Sequence, residues 1–300
     1  MIKKLGLLGL LLSASINVQA DESLFGFLYG ADVLPKGAVE LSAASTSRWD
    51  KGRGHYYAND FNVELEYGVT DKLEIAGYLL GQSVNHANAF PIEDASGDPL
   101  YPDRSQTKFS GVQFQLKYNF LSPYKDAFGF TAYLEPQYVK YFKVDGSKTQ
   151  QYELEAGFIF QKNFLDDQLV IASNHLFSIE SRKLIENGGE IEHEAEMTNL
   201  IGITYRFAPG WYAGFETRHH MDVLEQEDNT FKKNQYSWYA GPTLHYATQK
   251  WWATVGYMRQ IKGNPTYASG VYPVTGGVSS SLHLDENEKN ELRVRVGYEF

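Results

Sequence analysis

From residue 61 the chain places Phe61, Val63, Leu65, Tyr67 and Val69 at every second position, with Asn62, Glu64 and Glu66 between them. That is the period of a strand, and it puts carboxylates on one face and large apolar side chains on the other. The pattern recurs along the chain. Val112, Phe114, Leu116, Tyr118 and Phe120 alternate with Gln113, Gln115, Lys117 and Asn119; Phe128, Phe130, Ala132 and Leu134 alternate with Thr131, Glu135 and Gln137. Tyr152, Leu154, Ala156, Phe158 and Phe160 oppose Glu153 and Glu155. Ile201, Ile203, Tyr205 and Phe207 oppose Thr204 and Arg206, and Trp211, Ala213 and Phe215 oppose Glu216 and Arg218. Weaker versions occupy 38–48, 72–84, 168–181, 235–247 and 250–261, and a last one fills 289–300.

Each segment has about 9 to 11 residues, the length a tilted strand needs to cross a bilayer. A soluble sandwich or a lipocalin-like barrel also alternates, but its enclosed face is apolar. Enclosing Glu, Gln, Arg and Lys from nearly every strand in a dry core would cost several kcal/mol per unpaired charge. The expected fold is therefore all-β: a transmembrane antiparallel up-and-down β-barrel of about 12 strands, glutamates toward a wet lumen and aromatics toward lipid. The spacing of the segments agrees. Short turns fall at 68–72, 122–126, 165–167, 208–210 and 248–250, and long polar loops at 49–56, 85–107, 143–149, 182–192, 222–234 and 262–288. Strict alternation of the two is the pattern of short periplasmic turns and long extracellular loops.

Residues 1–20 read as a signal peptide: Lys3 and Lys4, an apolar run from Leu5 to Leu12, then Val18-Gln19-Ala20. Residues 21–36, carrying Phe25-Gly-Phe-Leu-Tyr29, read as a periplasmic lead-in, and 37–300 as the barrel. The early apolar run is too short for a spanning helix. With no cysteine in the chain there is no lipoprotein attachment site, disulfide framework or thiolate metal site. The chain carries a net charge of −10, which loss of Lys3 and Lys4 deepens, so nucleic acid is not an expected partner. A mean hydropathy of −0.40 beside 15% aromatic residues fits a barrel, where one face of each strand is wet and aromatics collect at both interfaces.

At the end of the chain Leu292, Val294, Val296, Tyr298 and Phe300 alternate outward. This resembles the C-terminal signature strand of bacterial outer-membrane β-barrel proteins, and the whole layout is similar to uncharacterised porin-like barrels of that class. The resemblance implies a place in the bacterial cell outer membrane, surrounding outer-membrane lipid, and the barrel-assembly machinery as a partner through the strand ending at Phe300. It implies no activity. Likeness to the twelve-stranded acidic-sugar porins is architectural only, because their basic lumen is not repeated.

The candidate lumen-lining residues are Glu40, Glu64, Glu66, Glu74, Lys117, Glu135, Glu153, Glu155, Arg206, Glu216, Arg218, Arg293 and Arg295, in which acid prevails. Pairing of the last strand with the first would bring Arg293 and Arg295 toward Glu40 and then Glu64 or Glu66. The expected function is a porin-like passive channel for small polar solutes with a net acidic lumen. Against it stands a narrow barrel packed with ion pairs that conducts nothing, since twelve strands enclose little space. Such a barrel would serve as a surface or scaffold protein that binds a partner through loops 85–107 and 262–288.

A third expectation is a lipid-modifying enzyme, because some small outer-membrane barrels resemble phospholipase and lipid A deacylase families that use Ser and His. Here His175 and Ser178, three apart, fall on opposite faces of a strand, the wrong geometry for nucleophile and base. Adjacent His219 and His220 also face opposite ways, which disfavours a two-histidine metal site. The sequence therefore assigns no catalytic residue, cofactor or metal ligand.

Loop acids gather at Glu93, Asp94, Asp98 and Asp103, at Glu225, Glu227 and Asp228, and at Asp285, Glu286 and Glu288, without calcium-loop spacing. They read as a solvated surface. Tyr57, Tyr138, Phe142, Tyr152, Trp238 and Tyr257 are expected in the outer aromatic girdle, and Tyr78, Tyr133, Tyr141, Tyr212, Tyr239 and Trp252 inside the lumen. The sixth loop folds inward as a constriction or lies outside as a binding surface.

Overall fold

A computed structural model describes residues 24–90, 93, 96–186, 188–225, 231–264 and 281–300. The expected signal peptide, the tip of the fifth loop with Glu227 and Asp228, and Asp94 lie outside the described residues. The strands are β1 (Val39–Trp49), β2 (His55–Thr70), β3 (Leu73–Ala87), β4 (Arg104–Leu121), β5 (Gly129–Tyr141) and β6 (Lys148–Phe164). They continue with β7 (Leu169–Leu184), β8 (Ile191–Ala208), β9 (Trp211–Glu225), β10 (Phe231–Ala247), β11 (Trp251–Gly263) and β12 (Asn290–Glu299). Every strand pairs antiparallel with its sequence neighbours, and β12 pairs with β1, so the sheet closes as a twelve-stranded barrel. Closure leaves no edge with unpaired backbone groups in the hydrocarbon.

Burial along the strands is that of a membrane barrel. Val63 and Leu65 are 48% and 55% exposed while Glu64 and Glu66 between them are 4% and 5% exposed. The outer wall, with Phe109, Phe158, Phe177, Ile201 and Val296, is the lipid-facing surface, and the protein is an outer-membrane β-barrel. Tyr57, Tyr152 and Trp238 stand exposed on it, but Phe142 does not: it is 7% exposed and packs inside with Tyr56, Val84, Phe90 and Val144. β5 stops at Tyr141, so the outward parity of the strand no longer governs the next residue. Of the six aromatics expected inside, Tyr78, Tyr133, Tyr212, Tyr239 and Trp252 are buried.

At one rim the connections are 71–72, 122–128, 165–168, 209–210 and 248–250. At the other they are 50–54, 88–103, 142–147, 185–190, 226–230 and 264–289. We call these the turn end and the loop end. The two-residue β8–β9 turn needs Gly210 at φ 73°, where an added Cβ would also meet the Ala247 carbonyl oxygen at 2.4 Å. Several strands outrun the 9 to 11 residues expected, β4 and β8 reaching 18. Backbone pairing continues into segments read as loops, such as 182–184 and 222–225, where polar residues appear on both faces.

Candidate functional site

Inside the barrel the polar side chains do two different jobs, and the first is to hold the chain's own N-terminal segment. Residues 24–36, expected as a lead-in, run through the turn end of the lumen. Phe25, Leu28, Ala31 and Leu34 are each at most 1% exposed. The first three pack with Tyr133, Ile159, Val170, Ala172, Leu176 and Leu200 from the inner faces of β5 to β8. The segment has no strand beside it, so its backbone is satisfied by side chains. Glu216 Oε1 accepts from the Gly26 N–H at 2.7 Å, and its Oε2 from those of Phe27 and Leu28 at 2.9 and 3.1 Å.

Asn174 treats Tyr29 as a strand would, accepting from its N–H at 2.7 Å and donating to its carbonyl at 2.9 Å. Gln161 accepts from the Ala31 N–H, and Asn119 and Thr131 donate to the Ala31 carbonyl. Glu74 Oε2 takes the Leu34 N–H at 2.7 Å while its Oε1 pairs with Lys117 at 2.7 Å. Close approach to the wall is possible because Gly26 faces Gly256; a Cβ on Gly26 would sit 2.8 Å from the Gly256 Cα.

The second job is done at the loop end. Arg48 bridges Asp60 at 2.8 Å and Glu288, and donates to the Lys143 carbonyl at 2.6 Å. Lys51 is fully buried; its ammonium donates to the carbonyls of Asp285 and Asn287, both at 3.0 Å, and lies over the Tyr56 ring. Burial pushes the Lys51 pKa down to about 8, against the pull of Glu288. Burial pushes the Glu288 carboxyl up, but Arg48, Lys51 and Lys143 more than reverse this and hold it below the usual carboxylate range. Tyr239 donates to the Glu288 carbonyl at 2.6 Å, and Gln260 exchanges hydrogen bonds with the His283 backbone. The described part of the sixth loop, 281–289, is therefore folded inward. Glu288, expected on a solvated surface, is 2% exposed because Arg48 and Lys51 neutralise it there.

Between the two closures lies a chamber of about 430 Å³. Of the thirteen residues expected to line the lumen, Glu135, Glu153, Glu155, Arg218 and Arg293 are on its wall. Glu135 accepts from Gln115 and Glu155 from Tyr133, Glu153 from Gln137, and Arg218 pairs with Glu291 through both terminal nitrogens at 3.0 and 2.5 Å. Glu74, Lys117 and Glu216 are engaged below it with the N-terminal segment. Glu40, Glu64, Glu66 and Arg295 are buried along β1, β2 and β12, where Glu40 accepts from the Trp252 indole and Glu64 from Ser42. There the register sets Arg295 opposite Ala44 and Arg293 opposite Thr46, with Glu64 in the field of both. Arg206 sits at the turn rim on the Asp166 carbonyl.

The chamber wall also carries Arg182, Lys143, His220, Asp222 and Glu286, which the sequence reading assigned to loops or left without a partner. His220 and Asp222 share the parity of Glu216 and Arg218, so following the alternation past Arg218 would have placed both inside. His175 and Ser178 do lie on opposite faces: His175 meets Asn199 outside, whereas Ser178 is buried. His219 is likewise outside, against Trp238 at 4.5 Å between ring centroids.

The structure is similar to several solved ones. The COG4313 outer membrane channel from Pseudomonas putida F1 is 14% identical, with a TM-score of 0.59 over 90% of this chain and 98% of that one. The NanC porin is 11% identical, TM-score 0.46, over 87% and 99%. The translocator domain of the autotransporter NalP from Neisseria meningitidis is 12% identical, TM-score 0.47, over 88% of each. At these identities the likeness concerns the fold. No curated protein matches the sequence. A sequence profile described as "Family of unknown function (DUF6662)" matches residues 17–300, and the chain belongs to that family.

Proposed function

We propose that this porin-like barrel is a narrow outer-membrane channel for small polar solutes, with a preference for cations set by its central chamber. On this reading the turn end faces the periplasm and the N-terminal segment is the closure there. The observation that supports it is the chamber wall. Asp60, Glu135, Glu153, Glu155, Glu180, Glu194, Glu196 and Asp222 outnumber Arg48, Lys143, Arg182, Arg218 and Arg293 around a space of about 430 Å³, a volume in the range of small-molecule sites. An excess of carboxylate in a walled cleft concentrates cations and orients polar solutes. The description of the Pseudomonas putida neighbour as an outer membrane channel points the same way. The apolar outer wall takes outer-membrane lipid, and β12, followed by the exposed Phe300, is the strand offered to the barrel-assembly machinery.

Planar-bilayer recording tests this reading. A KCl gradient should give discrete conductance steps with a reversal potential of cation-selective sign, larger in a chain lacking residues 24–34. The docked N-terminal segment at one end and the ion-paired Arg48, Lys51 and Glu288 at the other favour a second reading, a non-conducting barrel that holds a ligand in its chamber. Absence of conductance from both the full and the shortened chain would decide for it.

A further inference from the structure

On the loop-end side of the chamber the register sets like charges face to face. Glu180 lies opposite both Glu153 and Glu194, and Glu196 lies opposite Asp222. Directly opposed carboxylates repel in a sheet. Glu286, from the inward-folded end of the β11–β12 connection, joins them: carboxylate oxygens of Glu194, Asp222 and Glu286 all lie within 4.8 Å of one another.

The positive charge near this cluster is already divided. Arg182 is shared among Glu180 at 3.1 Å, Glu192 at 3.2 Å and Glu194 at 3.4 Å, and lies over the Phe142 ring. Lys143 is in the field of Glu196, Glu153 and Asp222 together. His220 has Nε2 2.6 Å from Asp222 Oδ1 and Nδ1 2.8 Å from Thr198 Oγ1, so both ring nitrogens are engaged. One further observation points to a cationic ligand here. Glu194 is only 5% exposed; its Oε2 faces Arg182, but its Oε1 is buried with no hydrogen-bond donor. An anionic oxygen withdrawn from water without a donor is strongly unfavourable.

We propose that Glu194, Asp222 and Glu286 bind a divalent cation of the hard, oxygen-preferring class, with calcium the best fit. The set offers carboxylate oxygens, no thiolate and no free imidazole, which favours calcium over zinc. Magnesium demands near-ideal octahedral geometry and gives up its waters reluctantly, so it suits three carboxylates from two strands and a loop less well. Because Glu194 is on β8, Asp222 on β9 and Glu286 on the connection before β12, the ion fastens segment 281–289 to the wall. The site stands whether or not the lumen conducts.

The full chain, purified in detergent and stripped with chelator, is titrated with CaCl₂ by calorimetry, and its thermal unfolding is followed with and without the metal. Saturable calcium binding is expected, with a rise in Tm that equal MgCl₂ does not match. Glu286→Gln and Asp222→Asn should each weaken binding by about tenfold or more, since carboxylate charge sets calcium affinity. Glu286 lies outside the strands, so its variant reports on the site with the barrel intact; heat-modifiable migration on gels checks this. No saturable binding and no Tm shift up to about 10 mM, well above the weak end of extracellular calcium sites, would overturn the proposal. So would unchanged affinity in Glu286→Gln. Zinc preference abolished by His220→Ala would also overturn it, placing the metal instead on Glu196, His220 and Asp222, which form a second set of converging ligand atoms.

Discussion

The two ends of the lumen are filled by different chemistry. At the turn end a short apolar segment is packed against inward Val170, Ala172, Leu176 and Leu200, and its backbone is held by Glu216, Asn174 and Gln161. At the loop end the closing elements are tied by charge, through Arg48, Lys51 and Glu288. Apolar packing with backbone capture makes a plug that undocks as one piece. A knot of buried ion pairs depends on every member keeping its charge, since removing one leaves the others uncompensated. On the proposed channel reading, the turn end is the place for an all-or-none opening, and the loop end the place where protons or metal ions would set the width.

Four perturbations separate the ends. Deleting residues 24–34 removes the whole plug and should give the largest effect: a several-fold rise in single-channel conductance with the loop end unchanged. An unaltered conductance would mean that the turn end is not the limiting constriction. Next, Phe25→Ala empties a site that is 1% exposed, and a buried Phe→Ala change costs about 3–5 kcal/mol. Limited proteolysis of the N-terminal segment should speed up accordingly, with the barrel itself still resistant. Glu216→Gln replaces a carboxylate that accepts three backbone N–H groups with a single carbonyl oxygen. Hydrogen bonds to charged groups are worth about 1.5–3 kcal/mol each, so undocking should increase by roughly one such bond, less than for Phe25→Ala. Amide exchange at Gly26, Phe27 and Leu28 reads this directly.

The smallest effect belongs to the loop end and to acid pH. The Glu288 carboxyl is held below its unfolded value, so its stabilising contribution is complete above the unfolded pKa, about 4.3. It is lost as pH falls through the lower folded value. Proteolysis or exchange within 281–289 should accelerate only below that window, and Glu288→Gln should be loosened already at neutral pH with no further acid step. An acid step of the same size in the variant would assign the pH response to another group.

The contrast between the ends also explains what could be read from the chain. The barrel was legible because one rule, carboxylates at alternate positions facing away from lipid, is written locally in strand after strand, as in Phe61–Tyr67. The plug has no period of its own; its partners Glu74, Gln161, Asn174 and Glu216 come from four distant strands. A trace of it existed in β7, where Val170, Ile171 and Ala172 are apolar on both faces, a sign that something greasy lies inside. The loop-end cap was hidden for another reason. Lys51, Lys143 and Glu288 sit in connections, where parity carries no information and a charged residue ordinarily faces water. The burial of Lys51 and Glu288 follows only from their neutralisation by each other and by Arg48, which is a property of the closed barrel.

The most direct test of the plugged lumen uses the absence of native cysteine. Ser110, 7% exposed on the chamber wall, is replaced by Cys and labelled with a bulky, water-soluble maleimide in the full chain and in one lacking residues 24–34. Labelling of the shortened chain should be faster by at least about tenfold, the ratio that 1.4 kcal/mol of docking free energy produces. Equal labelling rates in the two chains would contradict the account.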